Sequence, residues 1–548
     1  MTTLLDPPVP ATAGTGAPVS VHVTEDRLAP HSALRLYAAL RARGEPDVFL
    51  LEGLEGPGAD PGVTVLGRGA LAEIRVLPDR VDLSGRAPLV RALARVAEEC
   101  GLAPQGAVTG KDGPVYGYGL AGPEELWAFL RAVNGVFAVS DGASGASGTP
   151  GASGASGPGA GYAFGFLATV GYGAAWHMEQ LPPRTAPEGG WEREPDLVLT
   201  LFRQTLWYED VAGTGAPRLL TASSPHFGDR RAAAADGRQA PEAEELGRIA
   251  AVSAAGPGSL PPVPTAPAPT HVGRTVDEPV FLERVERALG HIAVGDIYQI
   301  QLGHRIEVET TLSPFDVYRR LRARNPSPYM YLVPRGGQTL IGSSPEVLFR
   351  CEDGELVMRP IAGTTPRSGD LEVDAARIAE LTASEKEQAE HVMLVDLCRN
   401  DVGRVCRPTT LATEGMMTVE RFSHVFHLVS TVRGELAAGE DVWSVLAATF
   451  PAGTVTGAPK IRAMELIQEL EPEPAQRGMY AGAVGLIDLR GWSQLALCIR
   501  TVVHDGERFA TRSCAGIVAD SDPRAEWRET LHKMGAAYWA LTGEELRS

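Results

Sequence analysis

Apolar positions along this chain recur at two spacings, and these divide it into helices and strands. Leu89–Cys100 (LVRALARVAEEC) and Glu125–Val133 (ELWAFLRAV) place apolar residues at helical intervals. Phe281–Gly295 (FLERVERALGHIAVG) does the same, and its helix should end near Gly295. In the first half DVFLLEG, TLFRQTLWY and PRLLTAS read as strands, and in the second half IYQIQLGHRIEVE alternates as a strand does. QTLIGSSPEVLFRCEDGELVMRPI predicts a hairpin turning at Glu352–Asp353–Gly354. SEKEQAEHVMLVDLCRNDVGRV predicts a long helix, and PRAEWRETLHKM is again helical. The order is neither a repeated βαβ unit nor pure alternation. It predicts an α+β protein of mainly antiparallel sheets with peripheral helices.

Two stretches carry almost no apolar residues. Asp141–Gly161 is a Gly/Ser-rich run that cannot bury a core and should be a surface loop inserted within a structured region. Residues 254–272 are proline-rich and should form an extended linker. The expected organisation is an N-terminal region over 1–253, this linker, and a region over 273–548 that is denser in short motifs.

At 548 residues, 44% hydrophobic and 22% charged, the chain has the composition of a globular protein. Its formal net charge of −18 argues against nucleic acid as the main ligand, because phosphate binding wants a basic surface. No apolar run approaches the roughly 20 residues that span a bilayer, and MTTLLDPPVP lacks the features of a signal peptide. No membrane association and a cytoplasmic location are therefore expected. Cys100, Cys351, Cys398, Cys406, Cys498 and Cys514 form no CxxC pair, so neither a zinc ribbon nor a dithiol redox site is indicated.

The candidate chemistry starts with carboxylates. Glu387 and Glu390 are three apart on a predicted helix and share one face, and so do Glu526 and Glu529. Two such pairs could surround one hard cation, and the lack of clustered thiols or imidazoles points to magnesium rather than zinc. Solvated helix faces paired with Lys386 and Lys533 are the alternative, and spacing alone favours them, because ExxE is a common pattern. Glu346 follows a strand beside a turn and could be a general acid if buried, or lie in the first turn of a helix capped by Ser344. His427 shares a face with His424 only if the segment is helical. Arg500 interrupts an apolar run, and a buried guanidinium needs an anion. Tyr480 sits among glycines that would let a ligand approach the backbone, and Gly516 could present N–H groups to an anion.

Taken in order, RPIAGTTPR (Arg359–Arg367), EKEQAEHVMLVDLCRND (Glu385–Asp401), SHVFHLVS (Ser423–Ser430), FPAGTVTGAPKIRAMELI (Phe450–Ile467), RGMYAGAVG (Arg477–Gly485) and GIVADSDPRAEW (Gly516–Trp527) closely resemble the chorismate-utilising enzymes, anthranilate synthase component I in particular. The resemblance is dense from about Asp277 to Leu541 and weaker, through FLLEG, GFLATVGYG and MEQLP, before the linker. It implies a fold of orthogonally packed antiparallel sheets. It also implies magnesium held by Glu387, Glu390, Glu526 and Glu529, and Glu346 as the acid that protonates the departing C4 hydroxyl. Arg500, Tyr480 and Lys533 would hold the enolpyruvyl carboxylate, with Gly363, Thr364 and Gly516 lining the pocket. His427 would serve the later elimination of pyruvate.

Members that add water at C2 resemble one another in carrying a lysine where this chain has Gln299, and an amide cannot act as that base. Members that aminate C4 carry a lysine where this chain has Ala362. The resemblance therefore implies attack of ammonia at C2 and elimination of pyruvate to give anthranilate. Its alternatives are an enzyme that stops at 2-amino-2-deoxyisochorismate and a non-catalytic chorismate-binding paralogue. No Gly-x-Cys-x-Gly elbow is present, so ammonia should come from a separate glutamine amidotransferase subunit or from solution. The oligomeric state, homomeric or heteromeric, is left open, as is the choice between tryptophan supply and a specialised pathway.

Cys514 stands where the family carries a glycine. Feedback-regulated members resemble LLES in one strand and NPSPYM elsewhere, which together bind tryptophan. This chain keeps Asn325, Pro326, Ser327, Pro328, Tyr329 and Met330 but reads Leu50, Leu51, Glu52 and Gly53, so a serine hydroxyl is missing. Weak inhibition by tryptophan is expected.

Overall fold

In a computed structural model the described residues are 18–54, 62–110, 113–141, 161–184, 194–210, 213–228, 241–255, 260, 262–472 and 477–547. The Gly/Ser-rich run falls almost wholly outside them.

The period-2 segments become strands of one continuous, largely antiparallel hydrogen-bonded network. Strands from the first half pair directly with strands from the second. Val48–Glu52 lies against Tyr329–Arg335, with Leu50 opposite Leu332 and Glu52 opposite Met330. Gly165–Val170 pairs with Gly482–Asp488 along its whole length. Both strands of that second pair are buried at every position, which is why they read as continuous apolar runs. Two apolar cores result, and each draws residues from both halves. One includes Phe49, Phe166, Trp207, Trp443 and Leu497. The other includes Leu36, Leu66, Phe281, Ile300, Trp527 and Leu541.

The helices lie where their apolar stripes predict: Ala87–Glu99, Pro123–Val136, Glu278–Ala293, Glu385–Gly403 and Pro523–Thr542. Residues 254–255 end a helix, Pro241–Ala255, and 271–272 begin a strand, His271–Arg274, that pairs with Gln299–Glu309. Of the proline-rich segment, residues 262–269 carry no regular structure.

The long hairpin read from Gln338 onward is two hairpins. Its turn at Asp353–Gly354 is real, with both residues at positive φ (50° and 78°), and it joins Val347–Glu352 to Glu355–Met358. Gln338–Ser344, however, pairs with Tyr329–Arg335 and Thr501–His504. Ser344–Pro345–Glu346 is thus a crossover between two neighbouring pairings. Gly117–Gly122 spells a Gly-x-Gly-x-x-Gly run. It closes an antiparallel strand, Gly113–Gly119, so the parallel βαβ setting of a dinucleotide site is not formed around it.

Candidate active site

The crossover determines the state of Glu346. Its backbone carbonyl accepts from Leu497, its N–H is 3.3 Å from Ser344 Oγ, and only 7% of its surface is exposed. Ser344 therefore braces a strand-to-strand turn, and no helix begins there. Burial pushes the Glu346 carboxyl up to about 8, against the opposing donation of Thr454 Oγ1 to Oε1 at 3.0 Å. With its pKa raised to about 8, the buried group holds its proton at neutral pH, the form a general acid needs.

Two helices present the paired glutamates. Ser384 caps Glu385–Gly403 and accepts from Glu387 N–H, and Asp522 caps Pro523–Thr542, so Glu387 and Glu526 lie in first turns. The four carboxylates feel one another. Burial raises Glu387, with Lys386 opposing and Glu529 adding to the rise. Burial raises Glu390 to about 7, with Glu387 the next cause and Glu529 and Glu526 contributing. Glu526 is raised by burial and by Glu529. The lysine pairings weighed from spacing also form: Lys386 is 4.0 Å from Glu390, and Lys533 is 2.7 Å from Glu529. Among the described residues no three acidic, histidine or cysteine groups close on a single point as a finished metal cage. The donors are nonetheless all carboxylate oxygens, three of them raised in part by a neighbouring glutamate, and a hard divalent cation relieves that repulsion.

Gly363 lies beside this cluster at φ +68°, where a Cβ would meet Glu387 Oε2 at 3.1 Å. Its carbonyl is 3.0 Å from His427 Nδ1, and Thr364 Oγ1 lies at the same distance. Alternation along Val425–Glu435 separates the two histidines: His427 is buried, while His424 precedes the strand and reaches the Arg324 carbonyl. Burial lowers His427 to about 4, with the Gly363 carbonyl opposing and Arg500 and Lys533 adding to the fall. It is a neutral imidazole. The Gly363 carbonyl assigns the proton to Nδ1, which leaves Nε2 as an acceptor.

Arg500 is not part of a strand. It sits at φ +52° in the break between Ser493–Cys498 and Thr501–His504. Burial lowers its proton affinity, with Tyr480 opposing; its carbonyl accepts from Ser343 N–H at 3.2 Å, and its guanidinium makes no hydrogen bond or ion pair with a described residue. Such a guanidinium is suited to a ligand carboxylate. Lys533 Nζ donates to the Cys514 carbonyl at 3.0 Å. The Cys514 side chain packs opposite Gly303, where a Cβ would lie 2.6 Å from its sulfur. Gln299 is 4% exposed, its Oε1 has no partner among the described residues, and a Cβ on Gly516 would lie 2.9 Å from its Nε2.

Thr454, and the buried pair of Lys460 with Asp401 at 2.8 Å, were not singled out from the sequence. Both Thr454 and Lys460 lie inside FPAGTVTGAPKIR, so the signal was a motif without a role.

The tryptophan-pocket-like residues also meet, through the Val48–Glu52 pairing and through Leu54 N–H donating to the Ser327 carbonyl at 3.2 Å. Their polar groups are already committed. Glu52 accepts from Tyr318 and from Arg322 at 2.9 and 3.2 Å, and Asn325 and Ser327 both bond Ser343. Gly53 has no room for a side chain, since a Cβ would stand 2.9 Å from Gly62 Cα and Val63 N.

A buried neutral carboxylic acid, a carboxylate cluster suited to a hard cation and a guanidinium with no anion among the described residues could together accommodate a carboxylate-bearing ligand. The chorismate binding enzyme family matches residues 140–538, and the chain belongs to it. The chain is 45% identical to a 2-amino-4-deoxychorismate synthase of Streptomyces globisporus, over 97% of its own length and 98% of the relative's. It is also 45% identical to anthranilate synthase component 1 of Streptomyces coelicolor, over 70% of this chain and 73% of the other. The structure of anthranilate synthase component I from Streptococcus pneumoniae superposes with a TM-score of 0.61 at 28% identity, covering 88% of this chain and 93% of that one. The isochorismate synthase MenF of Escherichia coli superposes equally well, at 0.61, but at 17% identity, which establishes the fold alone. The antiparallel fold and the chorismate-utilising class expected from the sequence are therefore met.

Proposed function

We propose that this enzyme aminates chorismate at C2 with ammonia, expels the C4 hydroxyl, and releases 2-amino-4-deoxychorismate with its enolpyruvyl group in place. The observation that carries the choice of product is the Streptomyces globisporus match, which runs through both halves of the chain. Glu346 delivers its proton to the departing hydroxyl. Arg500, with Tyr480 and Lys533, holds the enolpyruvyl carboxylate. Glu387, Glu390, Glu526 and Glu529 would hold magnesium, whose charge would grip and neutralise the ring carboxylate. Gln299 is a neutral amide on the nucleophile's side and cannot activate water, which favours ammonia. That ammonia is supplied by a separate glutamine amidotransferase.

Anthranilate, the outcome expected above, is the second reading, and a specific feature favours it. Neutral His427 keeps Nε2 available to take the C2 proton as pyruvate leaves. Its retention does not decide the matter, because the Nδ1 contacts also tie Val425–Glu435 to the Gly363–Thr364 turn whichever product leaves. The non-catalytic alternative is disfavoured by the complete set of charged groups.

Incubation of the purified chain with chorismate, magnesium and ammonium should yield an aminated product that keeps its enolpyruvyl mass and releases no pyruvate. Stoichiometric pyruvate with fluorescent anthranilate would establish the second reading, and absence of any aminated product would overturn both. Glutamine should replace ammonium only when a partner glutaminase is added.

Gln299→Lys should cut ammonia-dependent turnover by about tenfold or more, because a cation enters a nearly closed space beside Gly516. Unchanged amination kinetics would place Gln299 away from the nucleophile.

Tryptophan should inhibit only weakly. The lost serine hydroxyl corresponds to about 1–3 kcal/mol, or roughly 5- to 150-fold in affinity. Half-inhibition at low micromolar tryptophan would refute this. Gly53→Ser is not a clean restoration, since its Cβ collides with backbone, and it should lower the melting temperature.

A further inference from the structure

A cavity of about 70 Å³ opens between the tips of the Tyr329–Arg335/Gln338–Ser344 and Thr501–His504/Phe509–Ile517 hairpins and the loop at 477–480. None of Glu346, Glu387, Glu390, Glu526, Glu529 and Arg500 lines it, so it is not the substrate site, although Tyr480 forms part of its wall. Its other walls carry Arg305, Arg335, Arg477, Arg508 and Arg512.

The charges there do not balance locally. Arg335, Arg477 and Arg512 are buried, at 3%, 3% and 8% exposed. One buried carboxylate, Glu471, serves both Arg477 at 3.3 Å and Arg512 at 2.6 Å. Arg335 makes no ion pair with any described residue. Its Nη1 donates to Gln338 Oε1 at 3.1 Å, its Nη2 to the Pro195 carbonyl, and its Nε to nothing.

The acids nearby are committed or at a distance. Glu307 and Glu309 pair with the rim residues Arg305 and Arg508, and Asp505 accepts from the backbone N–H groups of Glu507 and Arg508. Glu194, in the wall, acts on Arg335 through space only. Asp196, a buried carboxylate, and Glu73 also act on Arg335 through space, but they pair with Arg184 and His177 and with Arg75, so among the described residues Arg335 is a buried guanidinium without an ion pair. Arginine does not shed its proton, so the surplus charge calls for an anion. The volume exceeds the roughly 10–15 Å³ that admits one water on the same measure and is of the size of one small oxyanion.

We propose that this cavity binds a small oxyanion, either free phosphate or the carboxylate of a small organic acid, on Arg335 with Arg477 and Arg512 behind it. Arg477 also lies over the Tyr480 ring at 5.6 Å, so the anion would sit one residue behind a wall of the substrate site.

Calorimetric titration of the full chain with inorganic phosphate, and separately with pyruvate, at constant chloride ionic strength tests this. Saturable one-to-one binding is expected for at least one of them, and the tighter identifies the source. Arg335→Met should weaken it by about tenfold or more. Arg500→Gln should leave it unchanged, and loss of binding in that variant would put the anion in the substrate site and overturn the proposal. No saturable binding of either probe up to about 10 mM, a free energy too small for a built site, would also overturn it. If Arg335→Met does not fold, the rim variant Arg508→Gln decides: a loss of about threefold supports the site, and unchanged affinity refutes it.

Discussion

Glu346→Gln should lower ammonia-dependent turnover by about 10²- to 10⁴-fold, the usual contribution of a positioned general acid, with the fold intact. The amide keeps the volume and can still accept from Thr454, but it has no proton to give. The pH dependence follows from the value of about 8. The active form is the protonated one, so wild-type rates expressed against free ammonia should be flat below pH 8 and fall above it, and the variant should lose that limb. Stability also falls as pH rises. A carboxyl raised above its ordinary value favours the folded protein at pH values below that ordinary value. That contribution is lost as pH climbs through 8, where the buried group must ionise. Glu346→Gln should therefore melt higher than wild type at pH 9, and the two should converge toward pH 4.5. Equal rates and equal melting curves at pH 9 would show that Glu346 is neither the acid nor a buried proton.

Glu390→Gln should reduce magnesium-dependent activity by about 10²-fold or more, since a carboxylate facing a hard cation is worth several kcal/mol. Without metal the same variant should melt higher than wild type near pH 8. Glu390 is raised to about 7 by burial and by Glu387, Glu529 and Glu526, and the amide ends that repulsion. The two effects have opposite signs, which distinguishes a cation site from a surface helix face: loss of a surface glutamate would leave both activity and melting within error. Differential scanning fluorimetry with and without magnesium, alongside initial rates across a magnesium titration, reads both. A wild-type rate at limiting magnesium would mean that these glutamates only solvate the two helices.

Helical periodicity is a local property, and so it was legible. The i,i+3 spacing of Glu387 with Glu390 and of Glu526 with Glu529 placed each pair on one helix face without any knowledge of the partner helix. The caps Ser384 and Asp522 lie directly before the carboxylates they bring into the first turn. The ordered motifs likewise determined the family, because several short segments in one sequence order rarely arise by chance. Pairing between strands is non-local, and there the one-dimensional pattern ran out. Gln338–Ser344 reads as a strand as well as its neighbour does, yet nothing in it specifies Tyr329–Arg335 and Thr501–His504 as partners in place of Val347–Glu352. That choice makes residues 344–346 a crossover and buries Glu346 beside Thr454, 108 positions away, which is what holds its proton.

Tertiary structure alone also decided that Arg477 and Arg512 share Glu471 while Arg335 makes no ion pair with a described residue. Charge compensation depends on which side chains meet in a low-dielectric space, and sequence separation carries no record of it. The missing serine at Gly53 was readable as a lost hydroxyl. That the backbone at Gly62 and Val63 closes over the position was not, because exclusion by a neighbouring strand is a property of the packed chain.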